Sequence, residues 1–501
     1  MSSIMLRSFL LAIGCAAASA SAAVGGRSSA APHALILAGT ITEGDAPSRF
    51  SQNIDLETGF TKLSKQMGAS ESHSGFDGQP WEEGNGIVTV TNLPSAVADR
   101  RAFAWLDSTG WRLRGSAHET TRRIVPPGAK PIELSFDPDT GLLSKATVAG
   151  DWGPEVFTYG DWRKVGPFTY PFHREELSPV GEHTIIQVES ARAERALQRR
   201  SFARPRSRSH AEWLGKAPAT VPFVGVGPRK THIVVDATID EQPAKLIFDT
   251  GAANYVTTEA APYFGIKPIG GINLSGVGET SASGGYATVN RIALGSAALR
   301  NETIVVGPPP WPPSKGKRPE LAGATGYEFF AEYVTTIDYP GDKLIFATSL
   351  PRKSGAVRVP FYNDGFHMYV RARLNGVEGL FGLDTGDGGT VTIFPAFASR
   401  FGIEGASGAV STGGSGLGGD VKSQTGVLKR FSLGGLNFDR LPVSFSHQKT
   451  GAFASNSIAG NLGGGVLQCF RITIDFPHHF LLFDPAPGSP RCRPGGKVSR
   501  S

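Results

Sequence analysis

Between residues 220 and 485, approximately, the chain repeats itself, and this limits its architecture more than any other feature. Gly323-Ala324-Thr325-Gly326 and Ile337-Asp338-Tyr339-Pro340 recur as Gly460-Asn461-Leu462-Gly463 and Ile474-Asp475-Phe476-Pro477, each 137 residues later. The match continues to Leu344-Ile345-Phe346 and Leu481-Leu482-Phe483. Upstream, Phe264-Gly265-Ile266 answers Phe401-Gly402-Ile403 at the same spacing, and Arg291 through Leu294-Gly295 answers Arg430 through Leu433-Gly434. Two parallel series with so little drift imply a duplicated unit with small loop differences. Two copies are too few for a solenoid, so the expectation is a pair of pseudo-symmetric lobes.

Near the start of each copy an apolar run stops at Asp-Thr-Gly. The runs are Leu246-Ile247-Phe248-Asp249-Thr250-Gly251-Ala252 and Leu380-Phe381-Gly382-Leu383-Asp384-Thr385-Gly386. Such a run with a glycine just past it fits a buried strand entering a tight turn. An aspartate there sits at the rim of a core, where an unpaired charge is costly, so the two carboxylates are expected to answer each other. A third copy of the tripeptide, Asp139-Thr140-Gly141, serves as a control. It follows Phe136-Asp137-Pro138, a polar approach that predicts a hairpin turn.

Each copy resembles the retropepsin-like aspartic peptidases: strand, Asp-Thr-Gly, Gly-rich hairpin, then a Gly-containing segment before a closing strand. The chain looks most like the bacterial aspartyl protease family of exported proteins, over residues 220–485 in round numbers. The resemblance implies a mainly β fold of two acid-protease β-barrel lobes on one chain. It implies an aspartic-type endopeptidase that activates water with Asp249 and Asp384, acts on polypeptide, and needs no cofactor or metal. Thr250, Gly251, Thr385 and Gly386 would support the pair, the threonines bracing the two loops. A flexible hairpin is expected at Gly276–Gly285, with its counterpart at Ser411–Gly419. The copies diverge after the glycines, and neither has the serine that pepsin-like enzymes place there. Asn254 or Asp387 would stand in for the aspartate found further along the retropepsin loop.

The chemistry suits the residues. Two carboxylates held about 3 Å apart cannot both ionise and share one proton. One then acts as base on a water and the other donates to the scissile carbonyl. Their apparent pKa values belong to the pair. No His-Glu-x-x-His or Gly-x-Ser-x-Gly motif is present, and the histidines at 478 and 479 read as turn residues. Asp338 and Asp475 precede aromatic-Pro turns and read as structural. The rival from another class is a non-catalytic exported protein that binds peptide or lipid with the same fold.

The rest of the chain frames these lobes. Met1–Ala23 reads as a signal peptide, with Arg7, the apolar run Phe9–Ile13 and small residues at Ala18–Ala22. Export to the periplasm or medium is expected; a lipid anchor through Cys15 is the alternative. Cys469 and Cys492 are then a disulfide candidate; closing their loop would contribute about 3 kcal/mol, and two free thiols are the other reading. Residues 31–190 form a β-rich N-terminal domain with strands expected at Ile87–Thr91 and Ile132–Phe136. Its pattern resembles the open barrels of periplasmic lipoprotein carriers, which implies an apolar concave face for a lipid or apolar ligand; a purely structural module stands beside that reading. Seven arginines between Arg192 and Arg208 mark a linker, 191–220, read as solvated connector with a helix over Glu189–Arg200. A processing site or weak contact with an anionic membrane surface are its functional alternatives. Net charge is +6, and with the basic excess gathered there no nucleic-acid partner is expected. Lobe 1 is assigned to 221–352, lobe 2 to 353–488 and a tail to 489–501. Because one chain supplies both lobes a monomer is expected, each lobe pairing with another chain being the arrangement left open.

Overall fold

The first strand of the N-terminal region, Ala34–Glu43, buries Leu35, Leu37 and Ile41 on one face, as a period of two requires. It pairs on one side with Ala46–Asp55 and on the other with His183–Glu194. These pairings join two meanders into one twelve-stranded antiparallel sheet. The structure is a computed structural model that describes residues 32–500 apart from 45, 68–69, 312–319 and 352–354. The signal-peptide and Cys15 expectations lie outside the described residues. So do Pro312 and Pro313, the end of the run Pro308-Pro309-Pro310-Trp311-Pro312-Pro313.

A helix absent from the sequence expectation, Pro94–Ser108, crosses the sheet. Its Ala102 and Leu106 pack on Ile132, Leu134 and Val148. Leu106 and Asp107 of this helix, with Phe50, Trp111 and Tyr170, line a void of about 20 Å³. That is room for about one water. The Asp139-Thr140-Gly141 control is the turn foreseen: Asp137 Oδ1 accepts the N–H and hydroxyl of Thr140 at 2.8 and 2.7 Å, between strands Ile132–Phe136 and Leu143–Gly150.

The Arg-rich segment lacks the helix expected over Glu189–Arg200. His183–Glu194 is a strand, because pairing along the whole first strand outweighs an isolated helix of marginal length. A single 3-10 turn, Arg199–Phe202, buries Phe202. Arg204 donates twice to Asp77, at 2.8 and 2.7 Å, and Ala211–Trp213 pairs with Ala297–Leu299 of lobe 1. Arg192, Arg195, Arg199, Arg200, Arg206 and Arg208 remain exposed.

The lobes repeat strand for strand. The inner hairpin His232–Ile239/Gln242–Phe248 of lobe 1 corresponds to His367–Leu374/Val377–Leu383 of lobe 2. Each inner strand is flanked in parallel by the short strand of the Gly-x-x-Gly segment, Gly323–Thr325 or Gly460–Leu462. The repeated Phe-Gly-Ile has a common cause: Gly265 and Gly402 end a short helical turn in the left-handed conformation, at φ 68° and 57°. Six strands tie the lobes together in the order Ala219–Val226, Lys343–Ala347, Val334–Asp338, Phe470–Asp475, Phe480–Pro485, Val357–Asp364. At the centre the hydroxyls of Thr336 and Thr473, themselves 137 residues apart, meet at 2.9 Å. One hydrophobic core runs through both lobes. The tail is also structured: Cys469 and Cys492 form a disulfide, and Lys497–Arg500 pairs with Leu436–Asp439.

Candidate active site

Leu246 and Phe248 point into the core of lobe 1, so the alternating face of the strand carries Ile247 and Asp249 outward. In lobe 2, Phe381 and Leu383 are buried, and Leu380, Gly382 and Asp384 share the opposite face. Both strands end at the boundary between the lobes, where the threonines interlock. Thr250 N–H donates to Thr385 Oγ1 at 2.9 Å, and Thr385 N–H to Thr250 Oγ1 at 3.0 Å. The Thr250 hydroxyl donates to the Leu383 carbonyl at 2.9 Å and the Thr385 hydroxyl to the Phe248 carbonyl at 3.1 Å. Both threonines are fully buried. These four bonds satisfy the polar groups that two abutting strand ends would otherwise bury unpaired.

This interlock brings Asp249 and Asp384 together, each half-buried at the floor of the cleft. The Gly386 N–H lies 3.1 Å from Asp249 Oδ1 and 2.9 Å from Asp384 Oδ1. Asp249 Oδ1 also accepts the Gly251 N–H at 2.7 Å, and Asp384 Oδ1 the Asp387 N–H at 3.1 Å. Gly386 is required here by space, since a Cβ would overlap the Asp249 carboxylate. Burial raises the Asp249 carboxyl, opposed by hydrogen bonds from Gly251, Asp384 and Gly386. Burial, then the charges of Asp249 and Asp387, push Asp384 well above the usual carboxylate range. A pair in which one member keeps a proton and the other gives it up can act as acid and base together.

The surroundings are not symmetric. Behind Asp384, the Asn461 amide donates to Asp384 Oδ2 at 2.9 Å and to Asp387 Oδ2 at 3.1 Å. Lobe 1 has Ala324 and Ala252 at the corresponding positions. Asn254, one of the two residues expected to stand in for the further aspartate of the retropepsin loop, turns inward and is 1 % exposed. Its amide donates to Glu302 Oε2 at 3.0 Å, its carbonyl oxygen accepts the Thr325 hydroxyl at 2.7 Å, and its N–H meets Glu328 Oε2 at 2.8 Å. Asn461 was not singled out from sequence. Its signal was an asparagine where the aligned repeat has alanine, beside the strand that carries Asp384.

Two hairpins meet above the carboxylates. The lobe 1 hairpin, Ile269–Leu274 with Ala282–Leu294, sends its tip to that of the lobe 2 hairpin, Ser411–Gly416 with Gly419–Leu433. Gly278 N–H donates to the Leu417 carbonyl at 3.0 Å, and the Thr280 hydroxyl to the Gly418 carbonyl at 2.8 Å. The N-terminal region closes in from one side. Leu93 and Ala96, at the start of its helix, share a buried cluster with Leu380 and Tyr369 of lobe 2 and with Val277 at the hairpin tip. Asn363 fixes this segment, accepting the N–H groups of Asn92 and Leu93 at 3.0 Å and donating to the Val90 carbonyl at 3.1 Å. In lobe 1, Ile247 and Ala324 lie in a separate small cluster drawn from that lobe alone.

Asp338 and Asp475 lie away from the site in turn roles. Asp338 accepts the Gly341 N–H at 3.1 Å and pairs with Arg471 at 3.1 Å. Asp475 pairs with His478, whose side chain is 73 % exposed. Among the described residues no group of three or more His, Cys, Asp or Glu is arranged to hold a metal ion.

Two segments of the chain, residues 235–327 and 370–465, match a family of retropepsin-like proteins described as aspartyl protease. One falls on each lobe, and each contains an Asp-Thr-Gly turn. Among solved structures, an aspartic proteinase from Irpex lacteus matches at 13 % identity and a TM-score of 0.36, covering 55 % of this chain and 99 % of that one. No curated protein matches the chain. The family match begins only at residue 235, and the resemblance of the N-terminal region to lipoprotein carriers has no support.

Proposed function

We propose, on the premise of two aspartyl-protease lobes in one chain, that this protein is an aspartic-type endopeptidase with Asp249 and Asp384 as its catalytic pair. The observation that carries this reading is the single Gly386 N–H within hydrogen-bond distance of both carboxylates, which puts them at one point of the cleft. Asp249 takes the role of base. Each Oδ1 accepts two backbone N–H groups, which favour the ionised form on both, so what separates the two is the Asp387 charge beside Asp384. Asp384, with like charges on two sides and little solvent, holds the proton. A water between them loses a proton to Asp249 as it attacks the peptide carbonyl, while Asp384 donates its proton to the carbonyl oxygen. The resulting tetrahedral diol collapses as a proton passes to the leaving nitrogen. No covalent intermediate with the enzyme forms. The meeting hairpin tips exclude water and must part to admit a chain.

Export belongs to the same proposal. The leader-like Met1–Ala23 and the Cys469–Cys492 disulfide both suit an oxidising compartment outside the cytoplasm.

The test is cleavage of a mixed peptide library from about pH 3 to about pH 8 by the parent, Asp249→Asn and Asp384→Asn. The parent is expected to cut, and each variant to lose about a thousandfold or more in kcat, as when a catalytic acid or base is removed. A parent inert throughout, or a variant that keeps its turnover, would sink the reading.

A further inference from the structure

The two aspartates sit in equivalent turns, yet only one has side chains built behind it. Asn461 lies on Gly460–Leu462, which runs parallel to Phe381–Leu383 and so faces the back of Asp384. It is 6 % exposed. Its amide nitrogen bridges Asp384 Oδ2 at 2.9 Å and Asp387 Oδ2 at 3.1 Å. Asp387 is held from its other side by the Gly389 N–H, donated to Oδ1 at 2.7 Å. Two carboxylate acceptors on one side fix the amide with its nitrogen toward them, because its oxygen there would meet only other acceptors. A third carboxylate beside a pair that must share one proton is expensive unless it is put to use.

We propose that Asn461 and Asp387 are a positioning pair that holds Asp384 in the role of acid and carries turnover toward neutral pH. The inference rests on the peptidase reading above. Asn461 fixes the outer oxygen of Asp384, so that its inner oxygen stays aimed at Asp249 and the substrate. Asp387 places a negative charge on the far side of that carboxyl and opposes loss of its proton. The bond from Asn461 works the other way, by stabilising charge on Asp384. Burial and the two like charges outweigh it. On lobe 1 the matching alanines leave Asp249 without a third carboxylate, so the ionised form belongs there.

Other titratable groups lie near the pair. Tyr339, in the turn after Val334–Asp338, feels the charges of both aspartates and of Arg491. His367, at the start of the lobe 2 inner hairpin, lies toward Asp249. His232, its counterpart in lobe 1, lies toward Gly388. None of these is bonded to Asp384, whereas Asn461 is, and through it Asp387.

The experiment is the pH profile of kcat and kcat/KM for the parent, Asp387→Asn and Asn461→Ala on one peptide substrate. Removing the Asp387 charge is expected to move the alkaline limb down by about one pH unit, the size of a single neighbouring-charge effect. The alkaline limb should move more than the acid limb. Asn461→Ala, which copies lobe 1, is expected to lower kcat about tenfold with KM within about twofold, since it frees a group that acts only in the reaction. Asn461→Gln should recover part of that loss. If Asp387→Asn does not fold, Asp387→Ser keeps an acceptor for the Gly389 N–H and must show the same shift. An alkaline limb that neither variant moves overturns the proposal. So does an Asn461→Ala enzyme with unchanged kcat. A parent with no peptidase activity at any pH is a different result: it removes the dyad reading itself, and this inference with it.

Discussion

Lobe 1 and lobe 2 make the same turn and then do opposite things with the residues that follow. After Asp249 the chain reads Gly251-Ala252-Ala253-Asn254, and Asn254 is drawn into the lobe by Glu302, Thr325 and Glu328. After Asp384 it reads Gly386-Asp387-Gly388-Gly389, and Asp387 stays at the surface of the cleft, linked through Asn461 to the aspartate. Lobe 1 spends its polar residues on its own interior, and lobe 2 on the site. The walls differ in the same sense. The strand face beside Asp384 is packed by Leu93 and Ala96 of the N-terminal region, whereas the hydrophobic cluster that holds Ile247, on the strand leading to Asp249, is drawn from lobe 1. A duplicated fold can thus keep its symmetric floor, set by the threonine interlock, while each half takes a different chemical role.

The largest effect should come from the glycines. A Cβ at Gly386 overlaps the Asp249 carboxylate, whereas one at Gly251 would lie 3.3 Å from Asp384 Oδ1 and 3.4 Å from Asp249 Oδ1. Gly386→Ala is therefore expected to cost about a hundredfold or more in kcat/KM, as small displacements of reacting groups do. Gly251→Ala should cost about tenfold at most. Equal losses would break the asymmetry at its root.

The threonines test the symmetric part. Thr250→Val and Thr385→Val each leave a buried N–H and a buried carbonyl without their partner. Each should destabilise by about 2–4 kcal/mol, and the two values should agree within about 1 kcal/mol. Denaturant titration reads this directly. A wide gap between them would show that the interlock is not shared evenly.

The smallest effect concerns the interior of lobe 1. Burial, with Glu302 next to it, pushes Glu328 up from 4.5 to about 8; lobe 2 has Gly465 at that place in the repeat. Between those two values the folded chain holds a proton that the unfolded chain has released, so stability falls as pH rises. Glu328→Gln keeps the acceptor for the Asn254 N–H and removes this loss. It should stabilise by on the order of 1–3 kcal/mol at pH 8 and by little at pH 4. A melting temperature that moves equally at both would mean that packing, not titration, sets the difference.

The fold could be read from sequence where a residue's conformation is fixed by its own chemistry. The duplicated Phe-Gly-Ile reports a left-handed glycine closing a helical turn. The apolar run into Asp-Thr-Gly reports a buried strand reaching the lobe boundary. The decoy at Asp139 was separable because Asp137-Pro138 makes a turn on its own. Partners distant in sequence were harder to see. Asn254 and Asp387 could not be told apart as stand-ins for the retropepsin aspartate, because Glu302 and Glu328, far along the chain, decide which way Asn254 turns. Pro94–Ser108 has no clean apolar stripe, with Asp99 and Ser108 among its buried positions, so nothing in its periodicity announced a helix. The strand His183–Glu194 was read partly as helix because its pairing partner lies about 150 residues earlier. Asn461 was legible only by comparing the two copies position by position, as a polar residue where the short buried strand of lobe 1 has alanine.

The central claim is that the two lobes of one chain make one site. Mixing Asp249→Asn with Asp384→Asn chains, each inactive alone, tests it most directly, against a parent that cleaves peptide under the same conditions. The account predicts no recovery at any mixing ratio, because every site in the mixture still carries one asparagine. Recovery rising toward the level expected for re-paired lobes would mean that the aspartates meet between chains, and would contradict it.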